Sequence, residues 1–281
     1  MNHCTEPIPL NEVKRLELDI LLDVAAFCES RGIRYSLSAG TLLGAVRHHG
    51  FIPWDDDIDI MLPRPDYDRL LAEYVSDKPY RIVNNDIDPD YPLPYAVVND
   101  TRTIKIEKKL RRRCTRTLCV NIDVFPLDCV PGDLEEAARF YRKIGIFWTR
   151  LNCVTNRPGR GRTVFSTIYR NLGILLYRML EGLGLISIRK AVRSSMDLAQ
   201  SYNPGPSGRL GITSDFYYGL RDSHPSAVYE GWTDYQFEGH ALKGILHAPE
   251  YLSGLYGPDY MELPPPERRI THHTSTCYWK V

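Results

Sequence analysis

The 281-residue chain predicts an α/β (α+β) fold: a mixed sheet flanked by helices, with a helical insertion and a loop-rich C-terminal tail. Three observations predict it. Residues 1–131 interleave helical periods with short strand-like runs. Residues 133–202 are dominated by helical periodicity. The tail is broken by turn formers, among them Pro264, Pro265 and Pro266. A soft boundary at Gly132 divides a core, 1–131, from the insertion and tail, 132–281. The two parts are expected to pack as one unit.

The elements follow in order. Val13, Leu16, Ile20, Val24 and Phe27 recur at three- and four-residue spacing, the mark of an amphipathic helix. Gly32 is placed to cap it. Ile33, Tyr35 and Leu37 alternate with Arg34 and Ser36 as a strand. A short helix is expected from Thr41 to about His48, ended near Gly50, and Trp54 to Leu62 reads as a strand. Pro65 opens a helix reaching about Tyr74. Further strands are expected at 80–84, 95–99, 103–107 and 120–125. Helices are expected at 133–150, 165–183 and 188–202, with the loop 156–162 between the first two.

Bulk properties exclude several classes. Thirty-five basic side chains balance 35 acidic ones, which argues against a nucleic-acid binder working by general attraction. Seven cysteines occur without a Cys-x-x-Cys pair, so zinc spacing is absent. They read as thiols of a reducing compartment. The N-terminus MNHCTEPIPL lacks a basic-then-apolar signal pattern, and no apolar run reaches membrane-spanning length. A cytoplasmic location is the expectation.

The segment 38–68, SAGTLLGAVRHHGFIPWDDDIDIMLPRPDYD, carries the chemistry. A glycine turn and a short apolar helix precede Asp55, Asp56, Asp57 and Asp59. In an extended backbone, side chains alternate faces, so Asp55, Asp57 and Asp59 would share one side. Three carboxylates together repel one another. A divalent cation removes that cost, and hard oxygen ligands suit Mg2+ or Mn2+. A calcium loop is excluded, because Ile60 stands where the turn needs Gly and Asp66 where a bidentate Glu is needed. Gly40 lets backbone approach a phosphate, and Thr41 begins a helix whose free amides attract anions. Arg47 and His48 follow as further candidate phosphate donors.

GTLLGAVRHHGFIPWDDDIDIMLPRPDYD resembles the signature of the LicD family, which includes phosphocholine transferases and is related to fukutin-related protein. That family is similar to nucleotidyltransferases of the DNA polymerase beta type. HAPEYLSGLYGPDYMELPPPERRITHH resembles its C-terminal portion. The resemblance implies a nucleotidyltransferase-type sheet in residues 1–131 and an acceptor-side region in 132–281. It implies catalytic and metal-binding roles for Asp57 and Asp59, with Asp55 as a further ligand. NIDVFPLD, 121–128, resembles the matching segment, which makes Asp123 a third ligand or the base. Arg268, His272 and His273 match the closing pattern and are candidate phosphate or acceptor contacts.

The implied reaction is a LicD-type transfer of phosphocholine or phospho-alditol from CDP-choline or a CDP-alditol. The acceptor is a hydroxyl of a cell-surface glycan precursor, of teichoic acid or lipopolysaccharide, free or lipid-linked, and CMP is released. The rivals are transfer of an NMP group with release of pyrophosphate, and an inactive binder of nucleotide or glycan. The basic run 105–116 reads either as a solvated hairpin or as a grip on phosphate. Val164 to Leu183 is amphipathic and flanked by Arg162, Arg170 and Arg178. It is expected to pack on the core. The alternative is a weak peripheral contact with the inner face of an anionic membrane.

Overall fold

The computed structural model describes residues 6–161, 163–205, 208–270 and 275–281. Helix α1 (Leu10–Arg31) buries the face its spacing marks, including Leu16, Ile20 and Val24. Gly32 ends it in the left-handed region, φ 60, with its N–H on the carbonyls of Cys28 and Glu29. Strand β1 (Ser36–Leu37) is shorter than the alternation predicts. Helix α2 (Ala39–His48) and strand β2 (Asp59–Pro63) follow, then α3 (Arg64–Glu73).

The acidic run departs from expectation. Only Asp59 lies in β2; residues 55–58 are irregular. Pro53 presets the second position of a turn, closed by the Asp55 N–H on the carbonyl of Ile52 at 2.9 Å. Strand alternation therefore does not align Asp55 and Asp57 with Asp59. A turn carries them to it instead.

Strands β3 (Tyr80–Val83), β4 (Ala96–Asp100) and β5 (Thr103–Glu107) lead through a short helix, α4 (Arg112–Thr115), to the ten-residue β6 (Val120–Cys129). β6 is the axis of the main sheet, whose order is β1-β2-β6-β4-β3. β2 and β6 are parallel; the other pairs are antiparallel. Val124 lies between Ile60 on one side and Ala96 on the other.

Three helices, α5 (Leu134–Thr155), α6 (Val164–Gly182) and α7 (Ile188–Ala199), form the insertion. α5 is capped by Asp133, whose carboxylate accepts from the Glu136 N–H. The chain then returns as β7 (Arg209–Ile212) to the far end of β6, and β8 (His224–Pro225) extends it. The main sheet thus draws strands from both sides of residue 131.

Within the tail, β9 (Trp232–Phe237) and β10 (His240–Ile245) form a hairpin. Glu238 and Gly239 both take positive φ at its turn, 49 and 80, as the right-handed twist of a two-residue hairpin favours. Helix α8 (Ala248–Tyr256) packs against α2, and β11 (Ser275–Trp279) pairs with β5. Ile20, Leu37, Leu42, Ile60, Val98 and Val124 belong to the main core, into which Leu252 and Leu255 of α8 also pack.

The amphipathic stretch expected to pack on the core leaves most of its apolar side uncovered, although Tyr177 packs against a small cluster with Leu151 and Val192. Of α6, only Ile174 is buried. Its apolar stripe is exposed, with Phe165 83% and Leu172 60% accessible. Periodicity marks a two-sided helix but not what covers the apolar side. The cysteines at 28, 114, 119, 129, 153 and 277 are free thiols. No helix among the described residues is long and apolar enough to cross a membrane.

Candidate active site

The turn between β1 and α2 is built around Asp59. Ser38 donates its N–H to the Asp59 carbonyl at 3.0 Å, and the Asp59 N–H donates to Thr41 Oγ1 at 2.8 Å. Both backbone groups of Asp59 are thus fixed by the head of α2. Thr41 Oγ1 acts as an acceptor in that bond, and its O–H remains a donor. Ala39 opens the helix at φ 42, an uncommon conformation for a residue with a Cβ. It is braced by Tyr251 of α8, whose hydroxyl accepts from the Ala39 N–H at 3.3 Å and lies 3.2 Å from Ser38 Oγ.

Gly40 lies close against the acidic turn. A Cβ there would stand 2.7 Å from Asp55 Oδ2. The acidic turn is thus folded down against the N-terminal turn of α2. That turn has orphan N–H groups, as every helix start does, so carboxylate and amides face each other across the glycine.

Asp123 sits beside Asp59 in the parallel register of β2 and β6. The Asp123 N–H donates to the Ile58 carbonyl at 2.9 Å. Its two carboxylate oxygens are held separately: Asn121 Nδ2 donates to Oδ1 at 2.6 Å, and the Tyr95 hydroxyl to Oδ2 at 3.2 Å. Lys105 Nζ donates in turn to Asn121 Oδ1 at 3.3 Å. Burial pulls the Lys105 ammonium down, but Glu17 and Asp123 outweigh it and raise it above its usual value. Lys105, the first residue of the basic run, is therefore part of this site.

Like charge crowds Asp59. Burial, then Asp57, Asp123, Asp55 and Asp215, push the Asp59 carboxyl well above the usual range. Glu17, 1% exposed on α1, is raised by burial, opposed by Lys105 and reinforced by Asp57, Asp56 and Asp123. Its Oε2 has no hydrogen-bond partner. Like charges held this close in low dielectric are costly.

Two groups of contributors escaped the sequence reading. Asp215 follows β7, and burial raises its carboxyl. Its signal was a lone acid within the aromatic run of residues 214–218, SDFYY. Tyrosines 95, 218, 251 and 256 also surround Asp59, whose charge contributes to holding each phenol protonated, after burial and nearer groups.

Other candidates lie elsewhere. Arg47 Nη1 donates to the carbonyls of Tyr260 at 2.7 Å and Glu262 at 3.1 Å, pinning the tail to α2. Its Nε donates to His48 Nε2 at 3.0 Å. Burial and Arg47 both lower the His48 pKa, so His48 is a neutral acceptor there. Arg268 is exposed. Its neighbour Arg269 lies 5.6 Å over the Trp54 ring, at the start of the acidic turn. His272 and His273 lie outside the described residues, as does Arg162.

The donor set Asp55, Asp57, Asp59 and Asp123 is carboxylate oxygen throughout, chemistry that suits Mg2+ or Mn2+. Among the described residues no three acidic, His or Cys side chains are already drawn together as a formed metal site. The donors fit a hard dication in kind, and Asp55 and Asp57 stand on an irregular segment.

Residues 32–130 match the family described as LicD/FKTN/FKRP, nucleotidyltransferase domain. A lipopolysaccharide cholinephosphotransferase, LicD, of Haemophilus influenzae is 30% identical over 278 residues, 96% of this chain and 98% of that protein. An uncharacterized protein of Rickettsia typhi is 38% identical over 82 residues, covering 28% of this chain and 26% of its own. The human ribitol 5-phosphate transferase FKRP is 51% identical over 37 residues, 13% of this chain and 8% of that protein.

Proposed function

The chain belongs to the LicD family, and on that premise we propose that it transfers phosphocholine or a phospho-alditol from a CDP-activated donor to a hydroxyl of a cell-surface glycan precursor, releasing CMP. The observation that carries this reading is the acidic cluster on Asp59: Asp57, Asp123, Asp55 and Asp215 all add negative charge to its surroundings. A fold tolerates such repulsion where function requires it.

Atoms balance simply. The acceptor oxygen attacks the phosphorus that bears choline or alditol. The bond from that phosphorus to the oxygen of CMP breaks, and its electron pair leaves with CMP. The acceptor proton passes to Asp123, whose oxygens are oriented by Asn121 and Tyr95. A positioned base of this kind contributes about 10²–10⁴-fold. The amides of Gly40 and Thr41 bind donor phosphate oxygens. Asp57, Asp59 and Asp123, with Asp55, would hold Mg2+ or Mn2+. When bound, that ion supplies charge to neutralise the pyrophosphate.

The test is product identification across CDP-choline, CDP-ribitol, CDP-glycerol and the common NTPs, with Mg2+ or Mn2+. CMP together with a modified glycan supports the proposal. Pyrophosphate from an NTP assigns NMP transfer instead. Donor binding without turnover under either metal leaves a binding protein.

A further inference from the structure

We infer that α6 and the arginine cleft at its C-terminal end form a docking face for an anionic lipid bilayer. Phe165, Ile168, Leu172, Leu175, Leu176 and Met179 are each 50–83% exposed. Their spacing of three, four, three, one and three residues places them on one side of the helix, as a stripe about 21 Å long. A continuous apolar stripe of that length left to water marks an interaction surface.

The opposite side of the helix is anchored. Glu181 accepts from Arg111 at 2.7 Å and also pairs with Arg113. Ile174 is buried, and Asn171 Oδ1 accepts from the Gly159 N–H at 3.0 Å. Thr163 and Ser166 complete a reciprocal cap at the N-terminus. The stripe is therefore held outward by a fixed frame.

Charge identifies the partner. Arg111, Arg112, Arg157 and Arg178, with Glu181, line a cleft of about 680 Å³. Glu181 engages Arg111, whereas the exposed guanidinium groups of Arg112, Arg157 and Arg178 make no ion pair or hydrogen bond among the described residues. The occupant must supply apolar depth along the stripe and anions at one end. A bilayer interface with acidic headgroups supplies both. A second copy of this face would bring more arginines, its Glu181 being already engaged by Arg111 and Arg113. The helix lies on the surface, since no described helix can cross a membrane.

This inference does not rest on the transfer reading, and its test needs no turnover. The measurement is flotation with vesicles of phosphatidylglycerol in phosphatidylcholine, against phosphatidylcholine alone, at about 0.05 and 0.5 M salt. The protein is expected to float with the anionic vesicles at low salt and to be released at high salt. Leu172→Glu with Leu176→Glu should lower partitioning more than about tenfold while circular dichroism stays unchanged. Arg112→Ala or Arg178→Ala should each lower it about fivefold on anionic vesicles only. Wild-type protein that stays unbound at low salt overturns the inference. So does a glutamate variant that floats like wild type, or one that unfolds. So does lipid-free dimerisation abolished by Leu172→Glu.

Discussion

Strand β6 carries an aspartate near each end, and their surroundings are opposite. Asp128 is fully buried and neutralised: Arg64 donates to both its oxygens, at 2.7 and 2.8 Å, and Thr213 adds a hydroxyl at 3.2 Å. Asp123 stands beside Asp59 in the register, where Asp57, Asp55 and Asp215 add further negative charge. One end uses a carboxylate to tie the sheet to α3 and the return strand. The other gathers carboxylates that raise the energy of the fold. The difference separates structure from function on a single strand: paired charge holds elements together, and crowded like charge marks where a ligand's positive charge belongs.

The contrast breaks first at Arg64. Arg64→Ala leaves Asp128 buried without its cation, and unfolding in denaturant should show a loss of about 3–5 kcal/mol. A loss below about 1 kcal/mol would show that the pair is not what holds that end. At the other end, Asp59→Asn should cut turnover by about 10²–10³-fold with unchanged circular dichroism. Near-normal rates with normal metal dependence would sink its assignment. Asp123→Ala should lower kcat far more than it weakens donor affinity; a proportional loss of binding would instead make it a donor contact.

A fourth prediction probes the brace behind Ser38 and Ala39. His224 packs on Tyr251, ring centroids 5.1 Å apart, and burial pushes its pKa down to about 4. The unfolded chain takes up that proton near pH 6.5 and the fold does not. Stability is therefore full above about 6.5 and falls as pH drops toward 4, by about 3 kcal/mol at about 1.36 kcal/mol per pH unit. His224→Gln should flatten that slope in unfolding measured from pH 7 to 4.5. An unchanged slope assigns it to other groups. The smallest effect is expected at Thr41→Val, which strips the acceptor from the Asp59 N–H and should lower stability by about 1 kcal/mol. A stability gain would deny that bond its role.

Much of this site was legible in the chain because its parts lie close together. Residues 38–59 hold the turn, the helix head and the acidic run, and Asp123 sits in a strand whose apolar frame is plain. Asp215 was not legible. It reaches the site only because β7 returns to β6 after three inserted helices, a pairing no local pattern announces. The strand reading of 54–58 failed because alternating residues also fit a Pro-initiated turn. The spacing of α6 marks an apolar side but not what covers it, because a helical period is the same whether protein or solvent lies against it. Within the tail, α8 braces the turn through Tyr251, a role set by packing rather than by motif.

The central claim, that the Asp59 end of β6 crowds like charge while Arg64 pairs the Asp128 end, is tested most directly by equilibrium unfolding of Asp59→Asn beside Asp128→Asn at pH 7 without added metal. Removing a charge from a repulsive cluster should leave stability equal to or above wild type, whereas Asp128→Asn should lose about 3 kcal/mol by stranding Arg64. A loss in Asp59→Asn as large as that in Asp128→Asn would contradict the account.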